Sequence, residues 1–373
     1  MAPRRLSDAE RLDWLRLSRC ENVGPVTFAR LMGRYGSAAA ALEAIPHLSR
    51  KGGLGRPLGL ATRAEAEDEM AKTLALGARH VAAGEDGYPE PLRHIHGAPP
   101  LLCIKGVAEL AARPAVAIVG ARNASAAGLK FTRTLAAELG EAGYVVASGL
   151  ARGIDTAAHQ AALAKGTVAV VAGGIGHVYP PENGALFADI ATRGLLMSEM
   201  PPGAAPMAEH FPRRNRIISG MALATVVVEA ALRSGSLITA RLAAEQGREV
   251  FAAPGSPLDP RCEGSNRLIR EGAQLLTSAR DVIEALAACP PRIEPVQGSF
   301  LEQDEDVLFA GAEAEAEAHD VDDVAHLLSP TPIEVDDLIR ESGLAPRTVV
   351  GLLLELELAG RLIRHSGGRV STQ

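Results

Sequence analysis

The sequence predicts an α/β protein whose central domain is a doubly wound, extended parallel sheet. From Ala115 onward, short β-branched runs alternate with Ala- and Leu-rich segments of helical length, a pattern typical of a parallel sheet with crossover helices. The strand segments are almost continuously hydrophobic, which indicates burial on both faces. The predicted strands are Val116–Val119, Tyr144–Ala147, Val168–Val171, Leu195–Ser198, Thr225–Val228 and Glu249–Ala252.

The first crossover helix has recognisable ends. Ser125 is a good N-cap, and Gly143 stands where a C-terminal cap belongs. Between them Leu129, Leu135 and Leu139 line one side. We therefore predict a helix between the first two strands.

The N-terminal segment is predicted to be helical. The run Asn22-Val23-Gly24-Pro25 resembles the turn of a helix-hairpin-helix, in which a helix N-terminus presents backbone amides to a phosphate. A plain helical packing module explains the segment equally well. Both readings place a helical domain at residues 1–85.

The C-terminal part separates into a linker and a small domain. Residues 291–320 are acidic and rich in alanine, as expected of a solvated linker. Residues 321–373 predict three helices, the third starting at Pro346, and then a hairpin around Gly367-Gly368. This order is that of a winged helix, and it leaves residues 86–290 for the α/β domain.

The net charge of −7 conceals a basic remainder. Residues 293–339 contain 14 acidic residues and no Lys or Arg, so the rest of the chain has 38 basic and 31 acidic residues, or +7. A polyanionic partner is therefore compatible with the composition.

Cysteine spacing and hydropathy favour a reducing compartment. The four cysteines show no metal-ligand spacing, which argues against structural zinc and redox chemistry. No apolar run is long enough to span a bilayer, and the N-terminus lacks the apolar core of a signal peptide. We expect a cytoplasmic protein without metal, cofactor or membrane partner.

A cluster of arginines indicates an anion site. Arg213, Arg214 and Arg216 lie within four positions, and the turn Ser234-Gly235-Ser236 follows the next predicted strand. Guanidinium groups match phosphate oxygens bidentately, and Gly/Ser turns supply backbone donors. A polyphosphate or a nucleic-acid backbone is the natural ligand.

Successive strands also end in glycine-containing turns. Because the carboxyl ends of parallel strands meet at one edge, these turns predict a contiguous donor surface suited to a run of phosphates. Their candidate residues are Gly120, Arg122, Ser148, Gly149, Arg152 and Gly173.

Three enzymatic readings compete with nucleic-acid binding. Ser148, Asp155 and His159 could be drawn as nucleophile, orienter and base, although Asp155 also suits a helix cap and His159 a core histidine. Glu229 could cleave a glycosidic bond in a nucleoside monophosphate, or it could bind backbone amides or Arg216. A nicotinamide or flavin enzyme is disfavoured because the glycine fingerprint is missing.

Several long motifs in order resemble the DNA-processing protein A family (DprA, also called Smf), continuously over about residues 88–276. These motifs are VAIVGAR (116–122), SGLARGIDTAAH (148–159), YPPEN (179–183), SEMPPG (198–203), FPRRNRIISG (211–220), VVVEAALRSGSLITA (226–240), EQGREVFAAPG (245–255) and LIREGA (268–273).

The resemblance implies a non-enzymatic single-stranded DNA binder, dimeric through an extended Rossmann domain, that protects incoming strands and loads the RecA recombinase in natural transformation. It also implies an N-terminal domain of sterile-alpha-motif type. Arg122 matches the family's phosphate-contacting arginine. The DNA-binding segment corresponds to Phe211, Arg213, Asn215 and Arg216, and the pocket-lining turns to Ser148, Gly149, Ser234, Gly235 and Ser236.

Two departures from the family pattern carry expectations. Ala121 stands where the family usually has Ser or Thr, so backbone donors must suffice there. The third winged-helix helix is apolar and acidic from Leu352 to Leu358, which is poor for entering a DNA groove. We expect this domain to contact protein, for example a second protomer, rather than duplex DNA. Aromatics are 3% of the chain, and Phe211 is the one we expect to touch a base.

Overall fold

The computed structural model describes residues 5–288, 318–365 and 367–372. The predicted linker residues 291–317 therefore lie outside the described residues. The described chain divides into two compact units, one of residues 69–288 and the other of residues 6–68 with 318–372. The bounds predicted for the four segments remain predictions.

Helices and strands are numbered in chain order. The helices are α1 (Asp8–Arg19), α2 (Pro25–Tyr35), α3 (Ala38–Lys51), α4 (Arg63–Ala75), α5 (Ala126–Glu141), α6 (Ile154–Ala162), α7 (Gly184–Arg193), α8 (His210–Met221), α9 (Gly235–Glu245), α10 (Glu263–Arg270), α11 (Ala279–Ala288), α12 (Ala318–Leu327), α13 (Val335–Ser342) and α14 (Pro346–Leu358). The strands are β1 (Arg79–Ala82), β2 (Leu101–Gly106), β3 (Ala115–Val119), β4 (Val145–Ser148), β5 (Thr167–Val170), β6 (Leu195–Ser198), β7 (Ala224–Val227), β8 (Glu249–Ala252), β9 (Gln274–Leu275), β10 (Ile333–Glu334), β11 (Leu362–His365) and β12 (Arg369–Thr372).

The first unit is built on a nine-stranded sheet with the order β1-β2-β6-β5-β4-β3-β7-β8-β9. Strands β3 to β9 run parallel, whereas β2 is antiparallel to β6 and β1 to β2. The six predicted strands are confirmed to within one residue at each end. The sequence prediction missed β1, β2 and β9, which extend the parallel core.

The sheet is covered on both faces, as the continuous hydrophobicity of its strands predicted. Alternate residues of β3 show this directly. Ala117 belongs to a core with α8 and α9, whereas Ile118 belongs to a core with α5, α6 and α11. The predicted caps of α5 are confirmed, since Ser125 accepts from the Gly128 amide and Gly143 has a φ of 95°.

The second unit combines the N-terminal helices with a winged helix. Helices α12, α13 and α14 precede a three-stranded antiparallel sheet of order β10-β12-β11. The predicted winged helix is confirmed, and β10 is an addition to it. At the N-terminal end, Gly24 caps α2 and Pro25 occupies its first position, as the helix-hairpin-helix reading predicts.

Helix α14 packs against the N-terminal helices of its own chain. Its residues Leu354 and Leu358 join the core formed by α1, α2 and α3. The amide of Asn22 donates to the Leu358 carbonyl at 3.0 Å, and Lys51 lies 3.8 Å from Glu355. The apolar side of α14 is therefore covered within the chain itself, and the expected contact of this domain with another protein stays a prediction.

Candidate nucleic-acid interface

The candidate site lies at the carboxyl edge of the parallel strands, beside the point where the strand order reverses. The chain proceeds from β3 outward to β6 and then returns to place β7 on the other side of β3. Loops that leave neighbouring strands in opposite directions open a crevice at such a point, where α/β proteins bind ligands. The turns after β3, β4 and β5 meet at this edge.

The turn after β3 presents Arg122. Gly120 keeps the turn tight, because a Cβ there would lie 2.7 Å from Ile154 and 3.1 Å from the Glu229 carbonyl oxygen. Arg122 is exposed, and its guanidinium carbon lies 5.5 Å from the centre of the Phe211 ring. This stacking holds a cation at the mouth of the crevice.

The turn after β4 combines a buried hydroxyl with an exposed arginine. Ser148 is fully buried, and its hydroxyl donates to the Ile118 carbonyl at 2.6 Å, so it ties β4 to β3. Arg152 is exposed, with its guanidinium 3.8 Å from Glu182. Of the two, Arg152 is the side chain that solvent and ligand can reach.

Gly149 makes room for a buried guanidinium. A Cβ at this position would lie 2.1 Å from Nη1 of Arg214, a side chain that donates to the Val170 carbonyl beneath the turn. Burial lowers the pKa of Arg214 to about 10, and the Asp155 carboxylate opposes that shift. Arg214 therefore stays protonated at neutral pH and places fixed positive charge in the floor of the crevice.

Helix α8 spreads the predicted arginine cluster over three environments. Arg213 is exposed, Arg214 is buried, and Arg216 is half-buried. The Arg216 guanidinium binds both oxygens of Glu199, at 2.6 and 2.5 Å, and the Gly97 carbonyl at 2.6 Å. The three groups therefore do not form one phosphate-facing surface, and Arg216 is engaged inside the protein.

The turn after β7 is placed beside α8 but does not line the pocket. Ser234 caps α9, and its hydroxyl lies 2.6 Å from that of Ser236. The side-chain amide of Asn215 lies 3.4 Å from the Gly235 carbonyl. The three turn residues instead form the start of α9, next to Asn215.

An open pocket of about 180 Å³ occupies the edge above β4 and β5. Its aromatic wall consists of Tyr179 and Phe211, whose ring centres lie 5.7 Å apart at an interplanar angle of 58°. The lining residues are Arg122, Gly149, Leu150, Ala151, Arg152, Val171, Ala172, Gly173, His177, Tyr179, Pro180, Pro181, Glu182, Pro206, Phe211 and Arg214. Apolar and cationic groups thus face the same space.

Sequence reasoning missed part of this wall. Tyr179 is 44% exposed and its ring lies beside that of Phe211, so two aromatic side chains, not one, line this pocket. His177 and Pro206 also line the pocket. Tyr179 lies in the YPPEN motif, where an aromatic beside two prolines in the loop after β5 was the available signal.

The residues drawn as a catalytic triad are used in other ways. Asp155 accepts hydrogen bonds from the Gly149 and Ala151 amides at 3.1 and 3.2 Å, as a cap of the β4 turn does. His159 is fully buried and pairs with the Thr167 hydroxyl at 2.7 Å. Burial lowers the pKa of His159 to about 3. The imidazole is therefore a neutral core group.

Glu229 caps the crossover helix that follows β3. Its carboxylate accepts from the Ser125 amide at 2.9 Å and from the Ser125 hydroxyl at 2.5 Å. This is the backbone-binding role foreseen as an alternative, whereas the other alternative, a pair with Arg216, is not formed because Arg216 binds Glu199. The carboxylate that the nucleoside-monophosphate hydrolase hypothesis requires is therefore engaged with Ser125.

Two further properties concern the described ranges only. They contain no group of three or more His, Cys, Asp or Glu side chains arranged to hold a metal ion. None of their helices combines the length and apolar character needed to cross a bilayer.

Comparison with known families assigns all three parts of the chain. Residues 79–287 match the family model of DNA recombination-mediator protein A, residues 8–71 a DprA-like N-terminal HHH domain, and residues 310–368 a DprA winged helix domain. The fold and these matches define a multidomain protein of DNA recombination. The chain belongs to the DNA recombination-mediator protein A family, DprA or Smf, as its motifs predicted.

Individual relatives agree with this assignment. The chain is 34% identical over 394 residues to the putative DNA processing protein DprA of Mycobacterium tuberculosis (strain H37Rv), covering 96% of each. It is 48% identical over 201 residues to DNA processing protein DprA of Streptococcus pneumoniae (strain R6), covering 53% of this chain and 71% of the relative.

Two solved structures share the fold. DNA processing protein A from Streptococcus pneumoniae matches with a TM-score of 0.64 and 36% identity, over 75% of this chain and 98% of that one. The protein from Helicobacter pylori matches with a TM-score of 0.52 and 29% identity, over 57% and 96% respectively. The latter structure is described as giving insight into that protein's unique single-stranded DNA binding mode.

Proposed function

We propose that this protein binds single-stranded DNA at the pocket and loops of the sheet edge, without catalysing a reaction on it. The observation that carries the proposal is the placement of Arg122 over Phe211, with Tyr179 beside them. A cation for a phosphate and a ring for a base are thus 5.5 Å apart. Stacking requires an unpaired base, so this arrangement favours single strands over duplex.

The candidate contacts fall into three groups. The exposed Arg122, Arg152 and Arg213 are the side chains that we propose touch phosphates. Because Gly120, Gly149 and Gly173 have no side chain, the protein backbone and the buried Arg214 could lie close to the DNA strand. Asn215 and the turn Ser234–Ser236 extend the surface along the start of α9.

The binding proposal is tested by comparing oligo-dT with a duplex of equal length over a range of salt. Binding to the single strand should be the tighter of the two. The logarithm of its binding constant should fall linearly with the logarithm of the salt concentration, with a slope of about −0.7 per phosphate contacted. Equal or tighter binding of the duplex contradicts the proposal. Release of free base from nucleoside monophosphates would instead support the hydrolase reading.

Phe211 separates stacking from charge. We expect Phe211→Leu to cost roughly 1 to 3 kcal/mol of oligo-dT binding because a base–ring stack is lost. The salt slope should stay unchanged, since no cation is removed. Phe211→Tyr, which keeps the ring, is the matched control and should bind nearly as the wild type does.

The remaining elements of the proposal concern partners. We infer that the protein protects incoming strands, loads the RecA recombinase and acts in the cytoplasm as a homodimer. The match to a recombination-mediator family and the DNA-processing names of its relatives support this role. Two measurements test it: sedimentation for the dimer, and RecA filament formation on protein-coated single strands for loading.

A further inference from the structure

A carboxylate lines the cationic pocket at the sheet edge. Glu182 stands in the short turn Pro181–Asn183, and an oxygen of its side chain lies 3.8 Å from Nη1 of Arg152. The side chains of Arg152 and Glu182 are 62% and 61% exposed, so their pairing adds little to the stability of the fold and leaves both groups within reach of a ligand. A carboxylate repels phosphate. The phosphate contacts proposed above therefore give Glu182 no role.

The fold holds Glu182 and Arg152 at this spacing. The buried side-chain amide of Asn183 donates to the Leu150 carbonyl at 2.9 Å and to the Thr156 hydroxyl at 3.0 Å. Leu150 and Thr156 flank Arg152 in the sequence. These bonds therefore join the turn that carries Glu182 to the turn after β4 that carries Arg152.

Two aromatic rings line the same space. Tyr179 precedes Glu182 in the loop after β5, and its ring centre lies 5.7 Å from that of Phe211. Both rings line the pocket together with Glu182 and Arg152. An unpaired base that stacks on either ring thus shares the pocket with a hydrogen-bond acceptor and a donor.

The four bases differ in the donors that they offer to a carboxylate. A carboxylate only accepts hydrogen bonds, and it has two oxygens with which to do so. Guanine presents two neighbouring donors on its Watson–Crick edge, N1–H and the exocyclic N2 amine, with the acceptor O6 next to them. Adenine and cytosine place their amino group beside an acceptor ring nitrogen, and thymine places N3–H between two carbonyls. A carboxylate with a guanidinium beside it therefore matches guanine best.

We propose that this pocket selects guanine from a bound single strand and that Glu182 determines the selection. The Glu182 carboxylate accepts from N1–H and the N2 amine, the Arg152 guanidinium donates to O6, and the base stacks on Tyr179 or Phe211. Arginine has five donors, so Arg152 keeps others for a phosphate. This inference rests on the proposed single-strand binding and adds a base preference to it.

The test compares equal-length oligo-dT strands that carry guanine, adenine, cytosine or thymine at the central position. Fluorescence anisotropy on the full chain gives a Kd for each strand. We expect the guanine strand to bind about tenfold more tightly than the all-dT strand, as one bidentate base contact provides. A strand with hypoxanthine, which keeps N1–H and O6 but lacks the N2 amine, should lose most of this gain. Equal binding of all the strands would overturn the proposal.

Glu182→Gln is the decisive variant. The amide has one acceptor oxygen where the carboxylate has two, so the preference for guanine over thymine should nearly vanish. Glu284→Gln is the matched control, because Glu284 is also 61% exposed and paired with an arginine but lies on α11 outside the pocket. It should keep the full preference. A preference that survives Glu182→Gln would overturn the assignment.

The preference is a ratio of two Kd values measured on one protein sample. A smaller folded fraction in a variant changes both values alike, so partial misfolding does not imitate the expected result. Free guanosine monophosphate is the other possible source of the base, and it should compete only weakly because it lacks the neighbouring phosphates. Competition as strong as that of the guanine strand would assign the pocket to a free nucleotide and overturn selection from DNA.

The same strands separate this inference from the function on which it rests. If every strand binds no more tightly than a duplex of equal length, single-strand binding is refuted and guanine selection falls with it. If all strands bind more tightly than the duplex but equally among themselves, only guanine selection is refuted.

Discussion

The guanidinium of Arg122 lies over the ring of Phe211, with its central carbon 5.5 Å from the ring centre. The two residues are 89 positions apart in sequence, one in the turn after β3 and the other in the first turn of α8. Stacking restricts the arginine before any ligand arrives, so less side-chain entropy is lost on binding. In the proposed binding mode, the pair is therefore arranged in advance for a phosphate next to a base.

Removal of Arg122 should weaken single-strand binding and reduce its salt dependence. We expect Arg122→Ala to cost about 1 to 3 kcal/mol, as for a charged hydrogen bond, and to lower the salt slope by about 0.7. Fluorescence anisotropy with oligo-dT measures both. Arg280→Ala, which removes an exposed charge from α11 outside the pocket, should change neither. Equal effects of the two variants would mean that only net charge matters.

The Arg216–Glu199 pair separates a direct contact from a positioning role. The sequence predicts that Arg216 touches DNA, and that prediction stands untested; the ion pair in the structure suggests that Arg216 positions α8. Glu199→Gln leaves Arg216 less neutralised. If Arg216 contacts phosphate, Glu199→Gln should bind oligo-dT more tightly. Arg216→Ala should then lose about 1 to 3 kcal/mol of binding free energy, as expected for one charged contact.

A positioning role gives a different pattern. Both variants should then lose stability, by about 3 kcal/mol for removal of one partner of a largely buried pair, and both should weaken DNA binding in parallel. Thermal unfolding measured beside anisotropy distinguishes the two cases. We expect the parallel losses.

Gly149→Ala should destabilise the protein because the new methyl group meets Arg214. The contact would be 2.1 Å from a buried guanidinium, and such overpacking costs roughly 1 to 3 kcal/mol. Thermal unfolding measures the loss. Gly203→Ala is the control, since no atom lies within 4 Å of its added Cβ. If both variants unfold at the wild-type temperature, Arg214 does not occupy the space under the β4 turn.

The buried His159 should make stability depend on pH. Its folded pKa of about 3 lies below the ordinary 6.5, so between these values the unfolded chain binds a proton that the folded chain does not. The contribution is fully present above pH 6.5 and is lost as the pH falls, by up to about 1.4 kcal/mol per pH unit. Urea unfolding of wild type and His159→Gln between about pH 5 and 6.5 should show the steeper loss in wild type. Parallel curves would contradict the assignment.

The sequence was sufficient for the parallel core because burial on both faces leaves an unmistakable pattern. Strands such as Leu195–Ser198 are almost entirely apolar, and the predicted bounds of this strand are confirmed. Strand β9 was not predicted because it has only two residues, both exposed, and because its pairing depends on the partner strand β8. The winged helix followed in the same way from its helix and turn signals, including Gly343 with a φ of 66°.

The candidate site was less predictable because it depends on which charges meet inside the fold. Spacing alone grouped Arg213, Arg214 and Arg216, but one helical turn sends them to solvent, to the core and to Glu199. Tyr179 comes next to Phe211 only through the path of the loop after β5. Contacts between residues far apart in sequence decide such roles, and no local pattern records them.

The carboxylate of Glu229 at the start of α5 has a consequence for selectivity. In many α/β proteins the free backbone amides at the start of the first helix after the central strand bind the phosphate of a small cofactor. Here the carboxylate of Glu229 lies at that position and accepts hydrogen bonds from the amide and the hydroxyl of Ser125. We therefore expect the phosphate of a free nucleotide to bind poorly at this position, because the Glu229 carboxylate already occupies it. In the proposed function, single-stranded DNA would not need this position, because it would contact several other points along the sheet edge.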